Sequence, residues 1–202
     1  MSIANYDDLK TAIANWLNDS NIAAYIPDFI SLAEARIYRE LRINSMMTSL
    51  SSAISSGVIA VPSDFLEFSY VAIDGSPASK LDVKTPEWIM NNYPNRSSDA
   101  KPRFIAKEGS NFIFGPYPDS NYTVIGSYYK RMPALISAST NWFTSNAPDI
   151  LLFASLVEAE PFIMNDERIS IWESKYQIAK HEIQKEDKRG RIMGSPQRSE
   201  AR

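Results

Sequence analysis

The stretch LVEAEPF, residues 156–162, sets two carboxylates, Glu158 and Glu160, two positions apart and follows them at once with Pro161. Paired carboxylates are the usual equipment for general acid/base cleavage of a glycosidic bond, where both must face the same scissile bond. On a helix, positions two apart differ by about 200°, so these two side chains diverge. Neither has a cation one turn away: the positions four before are Ala154 and Leu156, and those four after are Phe162 and Met164. Any cationic partner must come from elsewhere, such as Arg36, Arg39, Arg42, Arg168 or a neighbouring subunit. Carboxylates that hold an adjacent helix or subunit are therefore the reading, in place of an active site.

The remaining reactive side chains are sparse. Asp7/Asp8 and Asp166/Glu167 sit where first-turn acids complement a helix dipole. His181, the single histidine, lies in the polar run KHEIQKEDK and reads as solvated. There is no cysteine, hence no disulfide, thiol nucleophile or thiolate metal site. No Gly-rich phosphate loop, nucleophile elbow or zinc spacing occurs. No catalytic, cofactor-binding or metal residue is assigned, no cofactor is expected, and the chain reads as a non-enzyme.

The elements that position these residues follow from periodicity. Asn5 caps a helix carrying Asp7 and Asp8 in its first turn and Leu9, Ala12, Ile13, Trp16 and Leu17 on one stripe. A second helix is predicted from Pro27 to about Arg42, with Ile30, Ala33, Ile37 and Leu41 inward and Glu34, Arg36, Arg39, Glu40 and Arg42 on the other faces. From Met47 the period changes to short strands broken by turns: SSG at 55–57, a hairpin bending near Gly109, and YTVIGSYYKRM, 122–132, as the longest strand. Thr85 and Pro86 start a short intervening helix. Helices return after Pro133; Asn146 is read as a cap before Pro148 and Asp149, Pro161 ends that helix, and a last one starts near Asn165 and fades near Gly190. The fold class is α+β, with N- and C-terminal helices packed as a bundle (1–46 and 133–189), a central β-rich insertion (47–132) and a flexible C-terminal arm (190–202).

The chain has 202 residues and a net charge of −3, which by itself implies no nucleic-acid coat. Its start lacks the basic flank and apolar core of a signal peptide, and no apolar run approaches the roughly 18 residues of a membrane span, so a soluble protein without a membrane partner is expected. The charge is uneven. Residues 188–202 hold Lys188, Arg189, Arg191, Arg198 and Arg202 against Glu200 alone, a net of +4 that leaves −7 on the rest. A basic arm on an acidic body suits docking on a neighbouring acidic surface or contact with nucleic acid.

Three blocks in this order, YDDLKTAIANWLN with IPDFISLAEARIYRELR, VPSDFLE, and MPALISASTNWFTSNAPDILLFASLVEAEPFIMNDERISIWESKYQ, cover about half of the chain. They resemble the head-to-tail adaptor (connector) proteins of tailed bacteriophages, particularly those of short-tailed phages. Trp16, Pro27, Glu34, Arg36 and Arg42 match the first block, Pro62, Asp64 and Phe65 the second, and Trp142, Pro148, Glu158, Pro161, Arg168, Trp172 and Tyr176 the third. Glu160 departs, standing where a small residue is usual, and residues 84–99 and the arm match poorly.

The resemblance implies a virion structural protein at the head-tail junction, met in the host cytoplasm during assembly. It implies a ring beneath the portal protein, typically dodecameric, that continues the DNA channel and offers a platform to tail or nozzle proteins. Genomic DNA would pass through the lumen without sequence-specific binding. Glu34, Arg36, Arg39, Arg42, Glu158 and Glu160 are the subunit-interface candidates, and Lys188, Arg189, Arg191, Arg198 and Arg202 the portal-docking candidates. The alternative is a DNA-binding or packaging accessory protein using the same basic arm; a virion-borne cell-wall hydrolase comes third.

Overall fold

The computed structural model describes residues 3–18, 22–97, 99–163 and 166–192. The chain divides into two compact units, one formed by residues 1–45 and 132–202 and the other by 46–131. The fold is α+β.

In the first unit, α1 (Tyr6–Leu17) begins where the Asn5 side chain accepts from the Asp8 amide at 2.9 Å. It buries Leu9, Ala12, Ile13 and Leu17. Trp16 stands at the edge of that stripe, 43 % exposed, its ring edge-on to Phe153 and Trp172. The second helix, α2 (Ile26–Glu40), starts one residue before Pro27 and stops short of Arg42, because Leu41 turns extended. Arg42 itself closes the end: its Nη1 donates to the carbonyls of Tyr38 and Leu41 at 2.6 and 2.8 Å, which the terminating helix leaves unpaired.

The cap expected at Asn146 lies five residues earlier. Asn141 Oδ1 accepts from the amides of Phe143 and Thr144, and Thr144 Oγ1 accepts from the Asn141 amide. This reciprocal box starts a short helix over Trp142–Asn146. Asn146 closes that helix, donating to the Trp142 carbonyl at 2.9 Å. Proline disfavours helical backbone in the residue before it, so Ala147 leaves the helical region and Pro148 opens a new helix, Pro148–Ala159. This second helix is buried almost all round, from Ile150 to Ala159, as suits the centre of a bundle. It ends just before Glu160 and Pro161.

In chain order these and their neighbours are numbered α3 (Pro86–Asn92), α4 (Leu135–Ala138), α5 (Trp142–Asn146), α6 (Pro148–Ala159) and α7 (Ile169–Ile192). A single 3₁₀ turn, Asp166–Arg168, leads into α7. Against expectation α7 runs through Gly190 to Ile192, three residues into the segment read as an arm. A helical glycine costs only about 1 kcal/mol relative to alanine, and α7 is anchored just before it by buried Ile183 and by Asp187, which accepts from the Asn44 amide at 2.6 Å. Arg198 and Arg202, and the proposed arm from residue 193, lie outside the described residues.

The second unit holds two four-stranded sheets. The strands are β1 (Met47–Ala53), β2 (Val58–Ala60), β3 (Phe65–Ile73), β4 (Ser79–Lys80), β5 (Asp82–Val83), β6 (Phe104–Glu108), β7 (Asn111–Gly115) and β8 (Thr123–Lys130). The orders are β1-β8-β3-β4 and β2-β7-β6-β5, antiparallel except for β5 with β6. Both sheets feed one apolar core that includes Leu50, Val71, Ile105, Phe112, Phe114 and Val124. β3, nine residues long, exceeds the strand expected to be longest, β8 with eight. The two pair with register shifts between Phe65 and Glu67 and between Phe68 and Tyr70, and Gly126 pairs with Val71 just past the second. A Cβ on Gly126 would lie 2.2 Å from the Tyr70 carbonyl oxygen, so only glycine permits this approach. Tyr128 donates to Asp64 at 2.9 Å, and burial together with that bond pushes its hydroxyl up to about 12. Thr85 and Pro86 start α3 as expected.

Candidate functional site

In the helical unit the predicted charged residues meet around Arg36. From α2 its Nη2 donates to both oxygens of Glu173 on α7, at 2.7 and 2.9 Å, and its Nε to Glu40 one turn on, at 3.1 Å. Nη1 lies 3.9 Å from Glu158 on α6. The guanidinium sits 4.4 Å from the centre of the Tyr176 ring, whose hydroxyl donates to Glu40 at 3.0 Å. Lys180 adds a bond to the same Glu40 oxygen at 2.8 Å. One cation thus ties three helices together.

The electrostatics follow from these bonds. Burial would raise the carboxyl of Glu40, but Lys180, Arg36 and Tyr176 outweigh it and hold the group below its ordinary range. Glu173 is likewise lowered, burial being overcome by Arg36 and Gln177. Burial opposes the charge on Arg36, yet the bonds to Glu173 and Glu40 raise its affinity for the proton. Tyr176 is raised by burial and then by Glu40.

Glu158 and Glu160 diverge onto different partners, both in the same chain. Glu160 is fully buried at the end of α6. Its Oε1 accepts from Trp172 Nε1 at 2.8 Å and lies 3.1 Å from Arg168 Nε. Its Oε2 is buried without a hydrogen-bond partner among the described residues. Glu34 is buried too: it accepts from the Leu135 amide at 3.1 Å, and burial raises its carboxyl against the lowering effect of that amide. Arg39 is exposed, with no side-chain hydrogen bond or ion pair among the described residues. Lys188 and Arg189 are exposed on the last turns of α7, and Arg191 lies on its final turn.

Sequence reasoning named Arg36 and Glu158 but not Glu173, Gln177 or Lys180 as their company. The spacing of Arg36 and Glu40, and of Glu173 and Gln177, is a readable one-turn signal; the link between α2 and α7 is not local. Among the described residues no group of three or more His, Asp or Glu could hold a metal ion, and no helix is long and apolar enough to cross a membrane. The arrangement fastens helices and displays charge; it brings no two unpaired carboxylates together over a cleft.

Cross-helix ion pairs thus lock the helical unit, and Lys185, Lys188 and Arg189 gather toward the end of α7. The family model described as SU10 adaptor protein matches residues 4–199. The chain belongs to that family, a family of phage head-to-tail adaptors. No curated protein matches it.

Proposed function

We propose that the chain is a virion structural protein that forms a ring beneath the portal, continues the DNA channel and gives tail or nozzle proteins their attachment platform. The match over residues 4–199 carries the reading. A dodecamer of the short-tailed phage type is the expected assembly, with genomic DNA passing through the lumen. The Arg36 network supports it by making a rigid building block, since three carboxylates on three helices share one guanidinium. Arg36, Glu158, Arg42 and exposed Arg39 are the interface candidates with solvent-accessible surface; Glu34 and Glu160 act from beneath by fixing α4 and α7. Lys188, Arg189, Arg191, Arg198 and Arg202 form the portal-docking group.

The test is co-sedimentation with the portal protein. Ending the chain after Ile192 preserves α7 and removes Arg198 and Arg202; binding should fall at least tenfold. Unchanged binding would remove the arm from the mechanism. Failure of the full chain to associate with the portal at all would remove the adaptor reading.

A further inference from the structure

The helical unit has two edges, and each carries an apolar residue left exposed by the described residues. Helices α2 and α7 both pack on α6, and side-chain bonds tie α2 to α7 on one side and to the start of α4 on the other. Arg36 and Glu40 face α7 through Glu173, Tyr176 and Lys180. Tyr38 is two positions from each of them, about 200° around α2. Its hydroxyl donates to the Met132 carbonyl at 3.1 Å, and Glu34, also two positions from Arg36, holds the α4 amide of Leu135. So α4 flanks α2 on the side away from α7. Leu135 is fully buried there while Ile136 is 70 % exposed.

The same reasoning fixes the far edge. Ile171 and Ile178 each precede by two positions a residue that faces α2, Glu173 and Lys180, and so lie about 200° away from it. They are seven residues apart, within about 20° of one line, and are 50 % and 56 % exposed. Two unlike apolar edges on opposite sides of the helical unit cannot satisfy each other within a two-fold pair, but they can between successive copies, and such a head-to-tail contact gives a ring where its rotation closes.

Charge agrees with this. The outer side of α7 carries Lys175, Lys185 and Arg189 against Glu182. The α4 edge adjoins the start of α1, where the Tyr6 amide donates to the Ser139 carbonyl at 2.8 Å and Asp7 and Asp8 follow. Lys10 pairs with Asp7 at 2.7 Å, which leaves that end of α1 one net negative charge to set against the basic side of α7.

We propose that neighbouring copies in the ring join through these edges, Ile171 and Ile178 on α7 of one copy seating against Ile136 on α4 of the next. This rests on the ring reading above and names its contact surfaces. The chain has no cysteine, so the contact is testable by Ile136→Cys with Ile178→Cys in one chain. Assembled on the portal and mildly oxidised, the double variant should give a ladder of covalent multimers, while each single variant stays monomeric under denaturing conditions. As a second measurement, Ile178→Asp alone should reduce ring yield at least tenfold, and Ile136→Lys added to it should restore most of it. Rings that form normally without cross-links or charge-pair rescue would overturn this contact and leave the adaptor reading standing. A dimer from either single variant would overturn it in favour of a two-fold contact. If the wild-type chain forms no ring on the portal, the underlying reading fails and this contact with it.

Discussion

Arg36 on α2 and Glu173 on α7 form a two-bond pair, Nη2 reaching both carboxylate oxygens at 2.7 and 2.9 Å, although 137 positions separate them in sequence. The pair closes the bundle across chain segments that enter it from opposite ends. Its guanidinium, 16 % exposed, also serves Glu40 and Glu158, so removing it affects more than one bond.

Arg36→Met should therefore destabilise the helical unit by about 2 kcal/mol, since it leaves partly buried carboxylates without their cation. Urea unfolding followed by tryptophan fluorescence in a Trp88→Phe background reports this unit, which holds the other three tryptophans, Trp16, Trp142 and Trp172. Glu173→Gln, on a more exposed partner, should cost less than about 1 kcal/mol. Equal midpoints for Arg36→Met and the wild type would show the network to be idle.

Acid should loosen the same network. Glu40 and Glu173 have folded-state affinities for the proton below the ordinary value of 4.5. Their contribution is complete above that value and is lost as pH falls through the lowered folded-state values. Glu34 has the opposite sign: burial raises it, so its charge opposes folding near neutrality and the penalty fades as pH falls toward 4.5. Glu34→Gln should keep an acceptor for the Leu135 amide, stabilise the protein at pH 7, and converge with the wild type near pH 4. A variant less stable than wild type at pH 7 would contradict this assignment.

Glu160→Ala should cost about 2 kcal/mol, because it strands the buried Trp172 indole N–H. Glu160→Gln keeps an acceptor and should cost roughly half as much. A double-mutant cycle with Trp172→Phe checks the cause; additive effects would mean that the indole bond carries none of the loss.

Asn141→Ala should cost about 1 kcal/mol as a lost cap, and Asn146→Ala only a few tenths, since it gives up one exposed bond. Thermal denaturation of both variants ranks them. The reverse order would return the cap to Asn146.

What could be read from sequence were effects spanning a few residues. Asn5, Thr85 with Pro86, and the stop at Pro161 each act within one turn, and each stands where its chemistry placed it. Asn146 misled because an amide before Pro148 looks like a cap; the reciprocal signal at Asn141 and Thr144, three positions apart, was present but carries threonine in place of the usual acid. The divergence of Glu158 and Glu160 was legible from the helical angle, but their partners were not. Arg36 reaches Glu158 only because α2 packs on α6, a contact between segments far apart in the chain. Glu160 finds Arg168 and Trp172 across the break at Pro161, where helical spacing no longer applies. Gly190 shows the converse limit: a local weakness that an anchored helix tolerates.

The continuation of α7 to Ile192 sets the geometry of whatever follows. The last clamp on the body, Asp187 to Asn44, lies five residues before that helix end. Six positions separate Ile192 from Arg198 and ten separate it from Arg202. At about 3.4 Å per residue, covalent geometry alone bounds the distance of their backbones from that helix end at roughly 20 and 35 Å. Whichever molecule supplies an acidic receptor for those two arginines, chain length sets how far from the end of α7 it can stand.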